Sequence, residues 1–149
     1  MKLIMTKKSD LAETEVEIRY TELSKDIRNL ARRIEQYDSY IRGMDSERQY
    51  RIRINDMYYA ESVDKKTFIY TKTEVFRCEL RLYELLEKVE SFDFVQISKA
   101  CIVNIDVIDS MQSLANSRLQ VTLTNGEKVN VSRTFLPQIK AAFIGKEND

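Results

Sequence analysis

The side chains able to do chemistry in this chain are cations and small polar groups standing at the ends of apolar runs. Ser98 and Lys99 interrupt the stretch Phe-Val-Gln-Ile-Ser-Lys-Ala-Cys-Ile-Val-Asn at 94–104, whose apolar alternation breaks at Ser98-Lys99-Ala100 and then resumes. Asn130, Ser132, Arg133 and Thr134 close a second stretch at 119–134, and Lys65 and Lys66 lie in the polar loop 63–66. Cations and hydroxyls delivered from a rigid β framework suit a large polar partner. That is binding chemistry. Bond-breaking chemistry lacks its parts. There is no histidine, which removes the commonest general base and the commonest zinc ligand. Gly43, Gly126 and Gly145 are the only glycines, too few and too scattered for a phosphate-cradling GxGxxG or P-loop. Cys78 and Cys101 form no CxxC and read as reduced, mostly buried thiols. The expectation is a protein that is not an enzyme, with no cofactor, no metal and no small-molecule substrate.

The elements that must hold these tips are mostly strands. Residues 2–6 and 14–19 read as two short strands, the second alternating at Val16 and Ile18. Leu23, Ile27, Leu30, Ile34, Tyr37 and Ile41 then recur at spacings of three and four, predicting a helix over 22–41 with Thr21 as N-cap, Arg28, Arg32, Arg33 and Glu35 on its wet face, and Gly43 as its stop. This β-β-α segment, 1–45, is small for a core of its own, so its apolar stripe should cover its own sheet or a second copy. From 46 to 149 strands dominate. Tyr50, Ile52 and Ile54 alternate with Arg51 and Arg53, the wet face of an edge strand. Asn55-Asp56 turns the chain into a strand at 57–62. Residues 67–72 and 75–78 form a hairpin-like pair. Leu82, Leu85, Leu86 and Val89 mark a short helix ended by Ser91. A strand over 107–112 and a loop over 113–117 precede the pair Leu119-Val121-Leu123 and Val129-Val131, joined at Asn125-Gly126 by a type I′ turn. Thr134 caps a last helix that tolerates Pro137 in its first turn and turns Leu136, Ile139 and Phe143 inward. Tyr50, Tyr58, Tyr59 and Tyr70 read as core aromatics, and Asn104 as a structural residue satisfying backbone in a turn.

With 149 residues and 43% hydrophobic content the chain suffices for one domain with a small companion. No apolar run reaches the roughly 20 residues of a membrane span, and the first residues are too short an apolar stretch for a signal peptide; a cytoplasmic protein without membrane insertion is expected. Acids and bases number 24 each, with nine of each in residues 1–45. A nucleic-acid binder commonly carries a basic excess, so any such surface must come from the arrangement of charge over the molecule.

Residues 47–144 resemble the LytTR family of bacterial DNA-binding domains. The resemblance is carried by the run Asp56-Met-Tyr-Tyr-Ala-Glu61-Ser62, the leucine-rich helix, the stretch 94–104, and 119–134 with its Asn-Gly and Val-Ser-Arg. It implies an α+β, mostly β, elongated fold that inserts loops into successive major grooves, and places the DNA contacts on Lys65 and Lys66, on Ser98 and Lys99, and on Asn130, Ser132, Arg133 and Thr134. Where many members carry histidine-arginine-serine, this chain has Ser98-Lys99-Ala100. Lysine is a point donor without the fork of arginine, so the departure bears on which bases are read. The first 45 residues lack the length and acidic cluster of a phosphoacceptor receiver, which makes the chain similar to free-standing regulators of the family. Family members commonly act on repeated half-sites, implying a homodimer on double-stranded DNA. A protein-interaction module that has lost DNA binding is the alternative to which the balanced charge points.

Overall fold

The computed structural model describes residues 1–147. Seven antiparallel strands form the main sheet: β1 (Tyr40–Asp45), β2 (Arg48–Arg53), β3 (Tyr59–Val63), β4 (Lys66–Tyr70), β5 (Val75–Cys78), β6 (Phe94–Ser98) and β7 (Cys101–Asn104). Their order across the sheet is β2-β1-β5-β4-β3-β7-β6. A second sheet, in the order β10-β9-β8, comprises β8 (Ile108–Leu114), β9 (Arg118–Leu123) and β10 (Lys128–Val131). Three helices accompany them: α1 (Lys25–Glu35), α2 (Leu82–Val89) and α3 (Leu136–Glu147). The mostly β, α+β architecture is the expected one.

Two cores sit on opposite faces of the main sheet, and strand alternation sorts the residues between them. Ile102 packs with Ala60, Ile69, Phe76 and α2's Leu85 and Val89. Its neighbour Val103 joins Ile97, Val121, Leu123, Val131 and α3's Ile139. A strand covered on both faces reads as a continuous apolar run, which is why Cys101-Ile-Val shows no polar alternation. Asn104 ends that run, 2% exposed. Its Nδ2 donates to the Met57 carbonyl at 2.9 Å and its Oδ1 accepts from the Asp106 N–H at 3.0 Å, the structural role expected of it.

The N-terminal segment departs from the expectation. Residues 2–6 and 14–19 join no strand ladder, and nearly all of 1–23 is exposed. The helix is α1, shorter than 22–41 at both ends. Ser24, not Thr21, caps it, its Oγ accepting from the Ile27 N–H at 3.2 Å. Ile41 continues the helical spacing by coincidence and is a buried residue of β1. Gly43 is no stop signal: a Cβ there would collide with Ile52 Cδ1 and stand 2.9 Å from Phe76 Cβ, so the sheet closes over the missing side chain. Arg32 and Arg33 are not simply wet, since Arg32 binds Asp93 at 2.6 Å and Arg33 binds Asp106 at 3.5 Å. These bonds tie α1 to the turns beside β6 and β7.

Two turns also differ from the expectation. At Asn125-Gly126 only Gly126 has a positive φ, 89°, whereas a type I′ turn needs two such residues. The Gly126 N–H closes a turn onto the Leu123 carbonyl at 2.9 Å, and the Leu123 N–H reaches the Glu127 carbonyl at 2.8 Å, giving a three-residue loop. Thr134 does not cap the last helix. It lies inside a 3-10 turn, Arg133–Phe135, that leads straight into α3.

Candidate nucleic-acid interface

Three hairpin ends meet at one edge of the molecule. The chain reverses between β3 and β4 through Asp64 and Lys65, both left-handed at φ 51° and 66°. This is the two-residue reversal that matches strand twist, built here without glycine. Lys66 opens β4, paired with Val63, and residues 63–66 are exposed. The triplet at 98–100 proves to be the tip of a second hairpin, not a break within one strand. Ser98 pairs with Cys101 after an irregularity that follows Gln96, and the Ser98 Oγ accepts from the Ala100 N–H at 3.2 Å. That bond fixes the turn and leaves Lys99 exposed at its apex. The third end is the exit of β10, where Asn130 is exposed opposite Gln120 and Ser132, Arg133 and Thr134 are all exposed before α3 begins.

Two backbone hydrogen bonds weld the ends into one surface. The Ser62 N–H donates to the Ala100 carbonyl at 2.8 Å, joining the first tip to the second. The Ser132 N–H donates to the Ile97 carbonyl at 2.8 Å, joining the second to the third. All eight residues expected at the contact surface, Lys65, Lys66, Ser98, Lys99, Asn130, Ser132, Arg133 and Thr134, are therefore carried on neighbouring segments, with Ser98 half-buried and the rest exposed.

Sequence reasoning left out a fourth turn at this edge. Between β8 and β9 the chain reverses at Asn116 and Ser117, left-handed at φ 62° and 59°. Arg133 Nη2 donates to the Asn116 carbonyl at 3.4 Å, and the exposed Arg118 follows at the start of β9. The available signal was an asparagine tolerant of left-handed backbone followed closely by a cation. Among the described residues no carboxylate lies within 4.0 Å of the charged atoms of Lys65, Lys66, Lys99, Arg118 or Arg133. The edge thus gathers unpaired cations although the chain is neutral overall.

The aromatic group behind the tips is structural, as expected, though not wholly buried. Tyr59 and Tyr70 stack at 4.2 Å, nearly parallel at 6°, and the Tyr70 hydroxyl donates to Glu61 at 2.5 Å. Burial first, then the Glu61 partner, pushes the Tyr70 phenol up to about 12. Burial and Glu61 likewise raise the Cys101 thiol to about 12, so neither group offers a nucleophile. The expected wet face of β2 is present: Arg51 stacks over Tyr40 at 4.2 Å and Arg53 over Tyr37 at 3.9 Å. No helix among the described residues is long and apolar enough to cross a membrane.

Comparison with known proteins bears on this surface. The family model described as the LytTr DNA-binding domain matches residues 47–144. The chain is 28% identical over 140 residues to the sensory transduction protein LytT of Bacillus cereus, covering 94% of this chain and 52% of the relative. It is 30% identical over 100 residues to LytT of Enterococcus faecalis, covering 67% of this chain and 40% of that one. With the transcriptional regulatory protein YpdB of Escherichia coli K12 it shares 28% identity over 88 residues, 58% of this chain and 36% of the relative. The chain thus spans about half or less of the length of these relatives. Its fold is similar to the solved LytTr DNA-binding domain of a putative methyl-accepting/DNA response regulator from Bacillus cereus, with a TM-score of 0.66 and 20% identity over 70% of this chain and 96% of that one. With the family model spanning every strand but β1, all four turns of this edge and most of α3, the chain belongs to the LytTR family of DNA-binding domains.

Proposed function

We propose that this protein is a transcriptional regulator that binds specific double-stranded DNA in the cytoplasm, as a homodimer and without catalysis. The observation that supports the reading best is the row of tips bonded through Ala100 and Ile97, with unpaired cations at each end of it. A rigid row of turns can enter a major groove as a helix does. In this reading Lys99, at the apex of the middle hairpin, and Arg133 donate to base edges. Lys65, Lys66 and Arg118 neutralise flanking phosphates. Ser98 holds the middle turn, while Asn130, Ser132 and Thr134 offer neutral hydrogen bonds to the backbone. Two copies on one duplex would raise avidity with no new base contact. Incubation with a library of genomic fragments, followed by sequencing of the retained duplexes, tests the proposal. A recurring pair of half-sites is the expected result; retention without sequence preference would contradict it.

A further inference from the structure

The main sheet has an open edge, and the chain carries a segment whose residue pattern suits it. β2 is the terminal strand, bonded only to β1. The other end of that sheet, β6, is joined to the Ser132 backbone. An open edge is a row of unpaired donors and acceptors that accepts a further strand. Beside it, the sheet face bearing Tyr40 and Gln49 is strongly basic. Arg42, Arg51 and Arg53 stand together there, as the pairings Tyr40 with Arg53 and Arg42 with Arg51 require. Among the described residues none of the three has a carboxylate within 4.0 Å.

Residues 14–20 join no ladder and are exposed apart from a half-buried Ile18. As a strand the arm would put Val16 and Ile18 on one face and Glu15 and Glu17 on the other, with Glu13 just before it and Arg19 already held by Glu17 at 3.5 Å. One register parity on β2 sets the apolar face beside Tyr50 and Ile52 and the acidic face beside the arginines; a slip of one residue reverses both matches. We propose that residues 14–19 of a second copy of this chain add to the β2 edge, each copy lending its arm to the other. This deepens the homodimer proposed above and rests on it.

Charge selects this pairing over its competitors. Arm on arm would set glutamates against glutamates, and β2 on β2 arginines against arginines, both unfavourable across strands. Of the second sheet's two edge strands, β8 has no Lys or Arg and carries Asp109, and β10 has a single cation, Lys128. Arm on β2 sets the arm's glutamates beside three arginines, more cations than any other edge strand offers, and a two-fold exchange uses both arms and both edges.

The test uses full-length chains in sedimentation without DNA, so a failure of duplex binding leaves its outcome untouched. Wild type should sediment as a dimer that dissociates with added salt. The arm variant Glu13→Lys/Glu15→Lys/Glu17→Lys and the edge variant Arg42→Glu/Arg51→Glu/Arg53→Glu should each be monomeric. Mixed together they should recover the dimer, because the lysine arm then meets the glutamate edge and the native arm meets the native edge. Deletion of residues 1–20, which removes nothing from either core, should also give a monomer and decides the matter if the edge variant fails to fold. A dimer that survives the arm reversal or the deletion overturns the proposal. So does a wild-type monomer, the result expected if each arm folds onto its own edge. An edge variant that stays dimeric but loses duplex binding also overturns it, assigning the arginines to DNA.

Discussion

At Lys65 the proposed binding role and the fold pull in opposite directions. It holds a left-handed backbone at φ 66°, a conformation that costs a residue with a Cβ roughly 1–2 kcal/mol and glycine almost nothing. A cation kept there, exposed and without an acidic partner, needs a reason beyond the turn. Lys65→Gly should therefore stabilise the protein by about 1 kcal/mol in chemical denaturation while weakening duplex binding. Unchanged binding would remove Lys65 from the interface, and lowered stability would contradict the strain. Tyr70 and Cys101 make a second prediction. Their native values, about 12, lie above the ordinary 10.0 and 9.0, so the folded chain holds these protons more tightly than the unfolded chain. The stability this adds is complete below about pH 9 and is lost as pH rises towards 12. Melting temperature should fall across that window, and fall less steeply in Cys101→Ala; equal slopes would contradict the assignment. Most of the residues at the candidate interface were legible because a cation or hydroxyl at the end of an apolar alternation has few structural duties. Arg118 was not, since nothing in sequence says that the 115–117 turn comes back to the exit of β10.

At the scale of elements, the strands bounded by sharp polar turns were legible and the N-terminal third was not. Period decided both outcomes. Alternation over two residues identified β9 and β10 even though the loop between them proved to be the three-residue form. The three-and-four spacing of α1 ran on by chance through Tyr37 to Ile41, which hid β1 and made Gly43 look like a helix end. The true reason for glycine is the contact with Ile52 and Phe76. Gly43→Ala should cost about 1–3 kcal/mol by overpacking, read as a lowered melting temperature. Affinity for the duplex, measured well below that temperature, should not change because β1 stands far along the sheet from the tips. Wild-type stability in this variant would show that the sheet can open at no cost.

For the whole molecule, composition and structure give different impressions of charge. Equal numbers of acids and bases argued against a nucleic-acid partner, yet arrangement outweighs the total. Backbone bonds bring Lys65, Lys99 and Arg133 to one edge, whereas Glu61 is held by Tyr70, and Asp93 and Asp106 by the arginines of α1. No reading of sequence separations could supply that sorting, because Ser62 meets Ala100 and Ser132 meets Ile97 only once both sheets have formed. In the proposed interface this edge is what DNA meets. The most direct measurement is the equilibrium affinity of wild type, Lys99→Ala and Arg133→Ala for the selected duplex across a salt series, with melting temperatures alongside. Neutralising Z phosphates gives a log–log slope of about −0.9Z, so engaged tips should give wild type a slope steeper than about −3. Each substitution should cost about 1–3 kcal/mol of specific binding while leaving stability within about 0.5 kcal/mol. A slope near zero, or two stable variants that bind as wild type does, would contradict the account.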